Sequence, residues 1–361
     1  MVKLSLKLIF LVFVIVTLTG CWDTKDIDHR LLPVAMGISK EGEEYQVILQ
    51  VPEPVGGQMK NRIIKESGQT ITKTIDTLSG NMESQIDLLH VKVILIDKQL
   101  AKEGVKDVIS GFMRSRDVSS NALVTICDED IEKFFNTVSN DLDVNAINLF
   151  EFFEKNAGWT PQIALTRVWQ VYRSVHSYTH DVAVPIVVSG GSTNIRHMGS
   201  AVMKNGKMVE TITPDETLLI NAFKEESAQG RVEVSDHASV LIISNKTNSK
   251  SNFIDDEPSL ENVINLKVVL LETKSDHTIE LIKEELSTIL QERFDGMFTK
   301  LQESEADILG LGQHFRNKIP RRELKDWRSK YYQELKMHLS VEIDIQNTGF
   351  LKSNSSDQSA N

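Results

Sequence analysis

The chain is poor in cysteine, has no excess of positive charge, and contains no apolar run long enough to span a bilayer. Only Cys21 and Cys127 occur among its 361 residues. A single disulfide is the most they could form, and chemistry at Cys21 would leave Cys127 alone. Cys127 closes the apolar run "ALVTIC", which reads as a buried strand, and a buried cysteine behaves as a small hydrophobe. A reactive thiol would need an electropositive pocket, whereas "CDED" brings acid to this one. The net charge is −11. An acidic surface repels a phosphate backbone, which argues against a nucleic-acid partner, and it equally disfavours docking on anionic lipid through a basic patch. Several chemistries lack their motifs: there is no P-loop, no H-E-x-x-H, no C-x-x-C and no G-x-S-x-G. The acidic residues are abundant but fall in no paired arrangement that would mark acid–base catalysis. No cofactor or metal is implied, and the expectation is a protein that is not an enzyme.

The N-terminus carries more information. Lys3 and Lys7 precede a continuous apolar run from Leu8 to Val16, extended by Leu18. A spanning helix needs about 20 apolar residues, and this run is about half that. It reads as a signal-peptide core. It meets Leu18-Thr19-Gly20-Cys21, which resembles the bacterial lipobox, with cleavage between Gly20 and Cys21. The small side chains let extended backbone enter a membrane peptidase, and the Cys21 sulfur is the nucleophile that takes diacylglycerol as a thioether. The alternatives are an ordinary export signal with an incidental cysteine, or a plain transmembrane anchor. Loss of residues 1–20 removes two lysines and takes the net charge from −11 to −13. Two acyl chains anchor stably where one is marginal. The mature chain is therefore expected to be a soluble body tethered to a membrane through Cys21, outside the cytoplasm. Trp22, next to it, suits the interfacial layer.

Length argues for two or three domains. "LLPVAMGIS" and "EYQVILQVP" read as early strands, and "DLLHVKVILID" as another, with Leu89, Val91, Val93 and Leu95 alternating against His90, Lys92 and Ile94. "QLAKEGVKDVISGFMRS" has a helical pattern, "NALVTIC" returns to strand, and "DEDIEKFFNTV" reads as a helix with an acidic start. From Asp141 to Ser177 the pattern is helical, with Thr160-Pro161 as a candidate helix start. "DVAVPIVVSGG" is a strand whose Pro185 makes it an edge or irregular one. Asn205-Gly206 predicts a tight hairpin turn, and Thr213-Pro214 with Glu216 predicts a capped helix start. Asn245 to Ser259 is polar and reads as an exposed loop. Ile279, Ile282, Leu286, Ile289, Leu290, Phe294, Met297 and Leu301 predict a long amphipathic helix, packed on a sheet or paired as a coiled coil. "RRELKDWRSKYYQEL" reads as a further helix, and Met337, Leu339, Val341, Ile343 and Ile345 as a last strand. Strands and helices in this order suggest sheets covered by helices. The expected division is a signal peptide at 1–20, an N-terminal α+β domain at 21–140, a mainly helical middle region ending in a strand at 141–192, a C-terminal α+β domain at 193–350, and a flexible tail at 351–361.

Two stretches tempt a site. "DILGLG" (Asp307 to Gly312) lacks G-x-G-x-x-G and a strand-to-helix setting, so its glycines are read as permitting a close helix approach or a tight reversal rather than binding a dinucleotide. His176 and His180 are four apart and could share a helix face, as a metal pair or as surface or capping residues. Metal sites usually add a third ligand, and the adjacent Asp181 would point elsewhere.

An ordered set of segments resembles a known family. "GCWDTKDID" from Gly20, "PVAMGIS" around Gly37, "HVKVILIDKQLAKEGVKDVISGFMRSRDV" with Ala101, Gly104 and Arg116, "GSAVMKNGKMVETITPDE", "DILGLGQHFRNKIP", Trp327 and "VEIDIQNTG" together resemble the Ger(x)C spore germination lipoproteins. These are the C subunits of nutrient germinant receptors in spore-forming Gram-positive bacteria. The resemblance covers nearly the whole mature chain. It implies an α+β fold of three domains, each a mixed β-sheet flanked by α-helices, on the outer face of the spore inner membrane. It further implies integral-membrane A- and B-type receptor subunits as partners, and no known catalytic activity. The rival reading is an extracytoplasmic solute-binding lipoprotein of a transporter, usually two similar lobes about a hinge and cleft. A third class, an anchored hydrolase, would require a nucleophile–base pair that the sequence does not display.

Overall fold

The structure, a computed structural model, describes residues 30–139, 149–153, 162–190, 194–225, 230–234, 238–273 and 278–347. Its strands are β1 (Arg30–Leu31), β2 (Ala35–Glu41), β3 (Glu44–Val55), β4 (Gln58–Gly68), β5 (Gln85–Ile86), β6 (Val93–Asp97), β7 (Leu123–Cys127), β8 (Val182–Ser189), β9 (Ile195–Lys204), β10 (Lys207–Ile212), β11 (Gly230–Val234), β12 (Ala238–Ile254), β13 (Glu257–Thr273) and β14 (Lys336–Asn347). Its helices are α1 (Ile71–Gly80), α2 (Lys98–Glu103), α3 (Lys106–Ser115), α4 (Ile131–Ser139), α5 (Val168–Val175), α6 (Pro214–Phe223) and α7 (Ile279–Glu303).

An eight-stranded sheet runs in the order β10-β9-β8-β7-β6-β2-β3-β4. Its centre, β2-β6-β7-β8, is parallel, and antiparallel hairpins extend both ends. Parallel neighbours need crossover connections, and the helices between them cover both faces. Strand β6 shows the result. Ile94 and Ile96 pack with α2, α3 and α5, while Val93 and Leu95 pack with α4 on the other face. The half-buried alternation expected for "DLLHVKVILID" is therefore incorrect, because both faces of this strand are covered. The strand also starts later than expected: residues 88–90 form a 3₁₀ turn capped by Asp87, whose carboxylate accepts from the Leu89 amide at 3.0 Å.

The helix expected across "QLAKEGVKDVISGFMRS" is broken in two at Gly104 (φ +128°). There the Val105 amide leaves the helical ladder and donates to the carbonyl of Gly206 in the β9–β10 turn at 2.8 Å. Pro185 lies inside the sheet, not at an edge, and the register with β9 shifts between Pro185 and Val187. A bulge is where a residue without an amide proton fits a central strand.

A second sheet runs β11-β12-β13-β14, with β13 and β14 parallel. Helix α7 lies on it through Ile282, Leu286, Leu290, Phe294, Met297 and Leu301, so the long amphipathic helix packs on a sheet. The expected loop at Asn245–Ser259 is instead strand. β12 and β13 pair up to Ile254 and Glu257, and Asp255 and Asp256 turn the chain with φ of +52° and +65°. Positive φ at both central residues matches the twist of a tight hairpin. Composition misleads here because residues 245–252 of β12 are polar on both faces, while the partner strand β13 supplies the buried side chains Leu260 and Ile264. The expected helix at "RRELKDWRSKYYQEL" is also corrected: it forms a 3₁₀ turn (Leu324–Asp326) and then a π turn (Trp327–Tyr331). The Tyr332 amide reaches back to the Trp327 carbonyl at 2.7 Å. The wider turn brings Trp327, Arg328, Tyr331 and Tyr332 into the interior together.

The molecule is thus α+β, with mixed sheets flanked by helices, as the sequence predicts. The eight-stranded sheet draws on all three of the expected segments. Strands β2, β3, β4, β6 and β7, then β8, then the hairpin β9–β10 all belong to it, while β1 and β5 pair as a separate two-stranded parallel sheet. One apolar cluster continues from Ala183, Val202 and Ile212 of that sheet into α6, α7 and the second sheet.

Candidate functional site

The described residues place their most concentrated polar chemistry where the loop before β8 meets the segment after α7. Asp181 and Asp307 are fully buried and Arg328 is 6% exposed. Their backbones are bonded, the Asp181 amide donating to the Asp307 carbonyl at 2.8 Å. The Arg328 guanidinium grips the Asp181 carboxylate through Nε and Nη2, both at 2.8 Å, and Nη2 also donates to the Ser177 carbonyl at 2.7 Å. Asp181 accepts further from the Asp307 amide at 3.0 Å. Asp307 accepts from the amides of Leu311 and Gly312, each at 2.8 Å, and from the Trp327 indole at 2.9 Å. Burial raises the pKa of both carboxyls; for Asp307, with the Asp181 charge adding to it, the value reaches about 6. Each finds only donors, which is the environment of an ionised carboxylate. Gly310 and Gly312 are needed for this approach. A Cβ on Gly310 would lie 2.5 Å from His180 Nδ1, and one on Gly312 would lie 2.6 Å from Trp327 Nε1. Bidentate, charge-assisted and buried, the cluster is a structural joint.

One cleft borders it through His180 and Gly310, and a second shares none of its residues. The nearer has a volume of about 230 Å³, with Arg173, His180, Lys224, Gln170 and Asn221 on its lining beside Ala164, Ala183, Ile220 and Leu309. Arg173 donates to His180 Nε2 at 3.2 Å and lies over the Trp169 ring at 5.4 Å. A guanidinium only donates, so Nε2 is the acceptor and the His180 proton sits on Nδ1. Burial, helped by the charges of Lys224, Arg173 and Arg328, pushes the His180 pKa down to about 3. The second cleft, about 670 Å³, lies between α1 and α3 next to β1. The Arg30–Asp87 ion pair stands in it, and Leu89, 54% exposed, is on its lining.

A family profile described as "Spore germination protein N-terminal domain" matches residues 23–189, and one described as "Spore germination B3/ GerAC like, C-terminal" matches residues 198–349. The chain belongs to the Ger(x)C family. The protein YfkR of Bacillus subtilis (strain 168) is 21% identical over 389 residues, covering 97% of this chain and 98% of that protein. Spore germination protein KC of the same organism is 20% identical over 399 residues, covering 97% of each. The crystal structure of the GerBC protein shares the fold, with a TM-score of 0.55 and 14% identity over 86% of this chain and 97% of that one. The two Ger(x)C profile segments meet between β8 and β9, antiparallel neighbours in one sheet. They meet again at the joint, where Asp181 belongs to the first segment and Asp307, Trp327 and Arg328 to the second.

The fate of the sequence candidates is uneven. Gly20, Cys21, Trp22 and the Thr160-Pro161 helix start lie outside the described residues. Thr213 is the N-cap of α6, and its hydroxyl accepts from the Glu216 amide at 3.1 Å while Glu216 answers the Thr213 amide at 2.8 Å. His176 and His180 do not share a helix face, because α5 ends at Val175. His176 caps that helix with its ring 4.5 Å from Tyr172, and His180 lines the smaller cleft. The rival reading calls for two similar lobes and is not favoured, since the described residues form unlike sheets of eight, four and two strands. No helix among the described residues is long and apolar enough to cross a membrane.

Cys127 is buried and free, and burial pushes its thiol up to about 12. Iodoacetamide at pH 8 should therefore leave Cys127 unmodified in the folded protein and alkylate it once urea unfolds the chain. Mass spectrometry of the Cys127 peptide checks this, and rapid labelling of the native protein would contradict it.

What sequence reasoning missed is the joint. Asp181 and Arg328 are 147 residues apart, and no local pattern links them.

Proposed function

We propose that this Ger(x)C protein is a lipid-anchored, non-enzymatic subunit of a spore germinant receptor. In this reading it is held on the outer face of the spore inner membrane by diacylglycerol on Cys21 and acts beside integral-membrane A- and B-type subunits in nutrient-triggered germination. The observation that carries the reading is the placement of Leu18-Thr19-Gly20-Cys21 directly ahead of the family match, which begins at residue 23. A basic n-region and short apolar core precede that cysteine. Two acyl chains, at about 0.8 kcal/mol per buried CH₂, suffice to hold a body with no spanning helix among its described residues. Extended chain covers at most about 3.6 Å per residue, so the link from Cys21 to Arg30 reaches about 30 Å. The β1 end of the body, with the larger cleft, therefore stays near the bilayer. Confinement raises the effective concentration of the integral partners, so individual contacts need not be strong.

The test is Cys21→Ala in a sporulating host. Expected are loss of the protein from the membrane fraction and loss of germination by the cognate nutrient. A variant that stays membrane-bound and germinates normally would defeat the anchoring. Pull-down of the native protein from spore membranes should recover polytopic receptor subunits, and recovery of a transporter in their place would overturn the receptor reading.

A further inference from the structure

We infer that the smaller cleft binds a small monocarboxylate, its carboxylate on Arg173 and its short apolar body against Ala164, Ala183 and Ile220. The inference goes beyond the receptor reading and does not depend on it.

The charge balance of the cleft leads to this ligand. The whole chain carries −11, yet the cleft is lined by Arg173 and Lys224 and by no aspartate or glutamate among its described lining residues. Arg173 has no carboxylate within ion-pair distance among the described residues. Its partners are a neutral imidazole at 3.2 Å and an indole face at 5.4 Å. His180 cannot supply a counter-charge, since an imidazole is neutral or cationic, and its Nε2 lone pair is turned to Arg173. Gln170 points the same way. Its amide oxygen is committed to the Arg167 amide at 2.8 Å, so its NH₂ group is the part left to donate. The cation–π contact with Trp169, 5.4 Å from the ring centroid, helps to fix the guanidinium and lowers the ordering cost of a bidentate contact. A planar anion with two oxygens matches these donors.

Size and walls narrow the class. A volume of about 230 Å³ admits a molecule of a few heavy atoms. Among the apolar lining residues Leu165 is half-buried, while Ala164, Ala183 and Ile220 are buried, so the apolar wall is small and suits a short hydrocarbon rather than a long one. An ammonium group would face the Arg173 guanidinium with no acid among the described lining residues to offset it. A plain alkanoate is therefore preferred to the amino acid of the same shape.

Isobutyrate and L-alanine provide that comparison, since a methyl replaces the ammonium. Full-length protein in detergent micelles is titrated calorimetrically with sodium isobutyrate, isobutyramide and L-alanine at matched ionic strength. Saturable binding of isobutyrate is expected, with isobutyramide and L-alanine each weaker by about tenfold or more. Arg173→Gln should weaken isobutyrate by about tenfold or more while leaving the ligand-free unfolding midpoint near that of the parent, because Arg173 is exposed and tied to no acid among the described residues. Equal binding of isobutyrate and isobutyramide would overturn the proposal. So would L-alanine binding as tightly as isobutyrate, phosphate binding in preference to it, unchanged affinity in Arg173→Gln, or no saturable heat at all.

Discussion

Arg328→Met should lower the folding stability by about 3–5 kcal/mol, the range for removing one partner of a buried ion pair. The cost comes less from the lost attraction than from what remains. Asp181, fully buried, would keep its charge with only the amides of Asp307 at 3.0 Å and Asn205 at 3.4 Å to answer it, and the Ser177 carbonyl would lose its donor. Burial already raises the Asp181 pKa in the intact joint, and loss of the guanidinium must raise it further. A carboxyl with a raised folded pKa binds more protons folded than unfolded, so stability falls as pH rises. The penalty in Arg328→Met should therefore be smallest below the unfolded carboxylate pKa and grow toward neutrality. Replacing both partners, Asp181→Leu with Arg328→Met, should recover part of the loss, because no charge is then left buried. Urea unfolding of the parent, Arg328→Met, Asp181→Leu and the double variant between pH 4 and 8, followed by tryptophan fluorescence, checks each point. A single Arg328→Met that unfolds at the parent midpoint would show that the joint contributes nothing to stability.

The elements legible in the sequence are those whose cause is local. Residues 336–347 alternate because one face of β14 meets α7. Residues 279–303 repeat at helical spacing because one stripe meets the second sheet. Thr213 and Glu216 cap each other within four residues. Tertiary causes were hidden. Gly104 reads as one glycine in a helical pattern until Val105 is seen bonded to the β9–β10 turn. Asn245–Ile254 reads as loop because its strand character comes from the partner β13, where Leu260, Ile264 and Leu266 enter the core. The periodicity of residues 324–335 is correct, since Leu324, Trp327, Arg328, Tyr331, Tyr332 and Leu335 all turn inward. Only the winding is wider than an α-helix. The candidate site follows the same division. Asp307, Gly310, Gly312 and Trp327 stand in segments that the sequence marks as distinctive. Asp181 and Arg173 come from places with no such signal, Arg328 is one charged residue among several beside Trp327, and only the folded chain brings them together.

Gly310→Ala should cost about 2–5 kcal/mol, from two separable causes. Gly310 sits at φ +72°, where a Cβ meets its own carbonyl at roughly 1–2 kcal/mol. The new methyl would also lie 2.5 Å from His180 Nδ1, an overpacking of about 1–3 kcal/mol where neighbours cannot withdraw. His180 is poorly placed to withdraw. Its Nε2 is held by Arg173, and the next residue is Asp181, pinned by the joint. The two causes separate in a His180→Ala background. There the clash is gone, so Gly310→Ala should cost only the backbone part, about 1–2 kcal/mol, and thermal melts of the four proteins form a double-mutant cycle that measures the coupling. If Gly310→Ala costs the same in both backgrounds, the glycine serves its turn alone. If the coupling appears, the "GLG" that tempts a nucleotide reading is accounted for by contact, because the chain must come within bonding distance of the loop before β8 and no side chain fits between them.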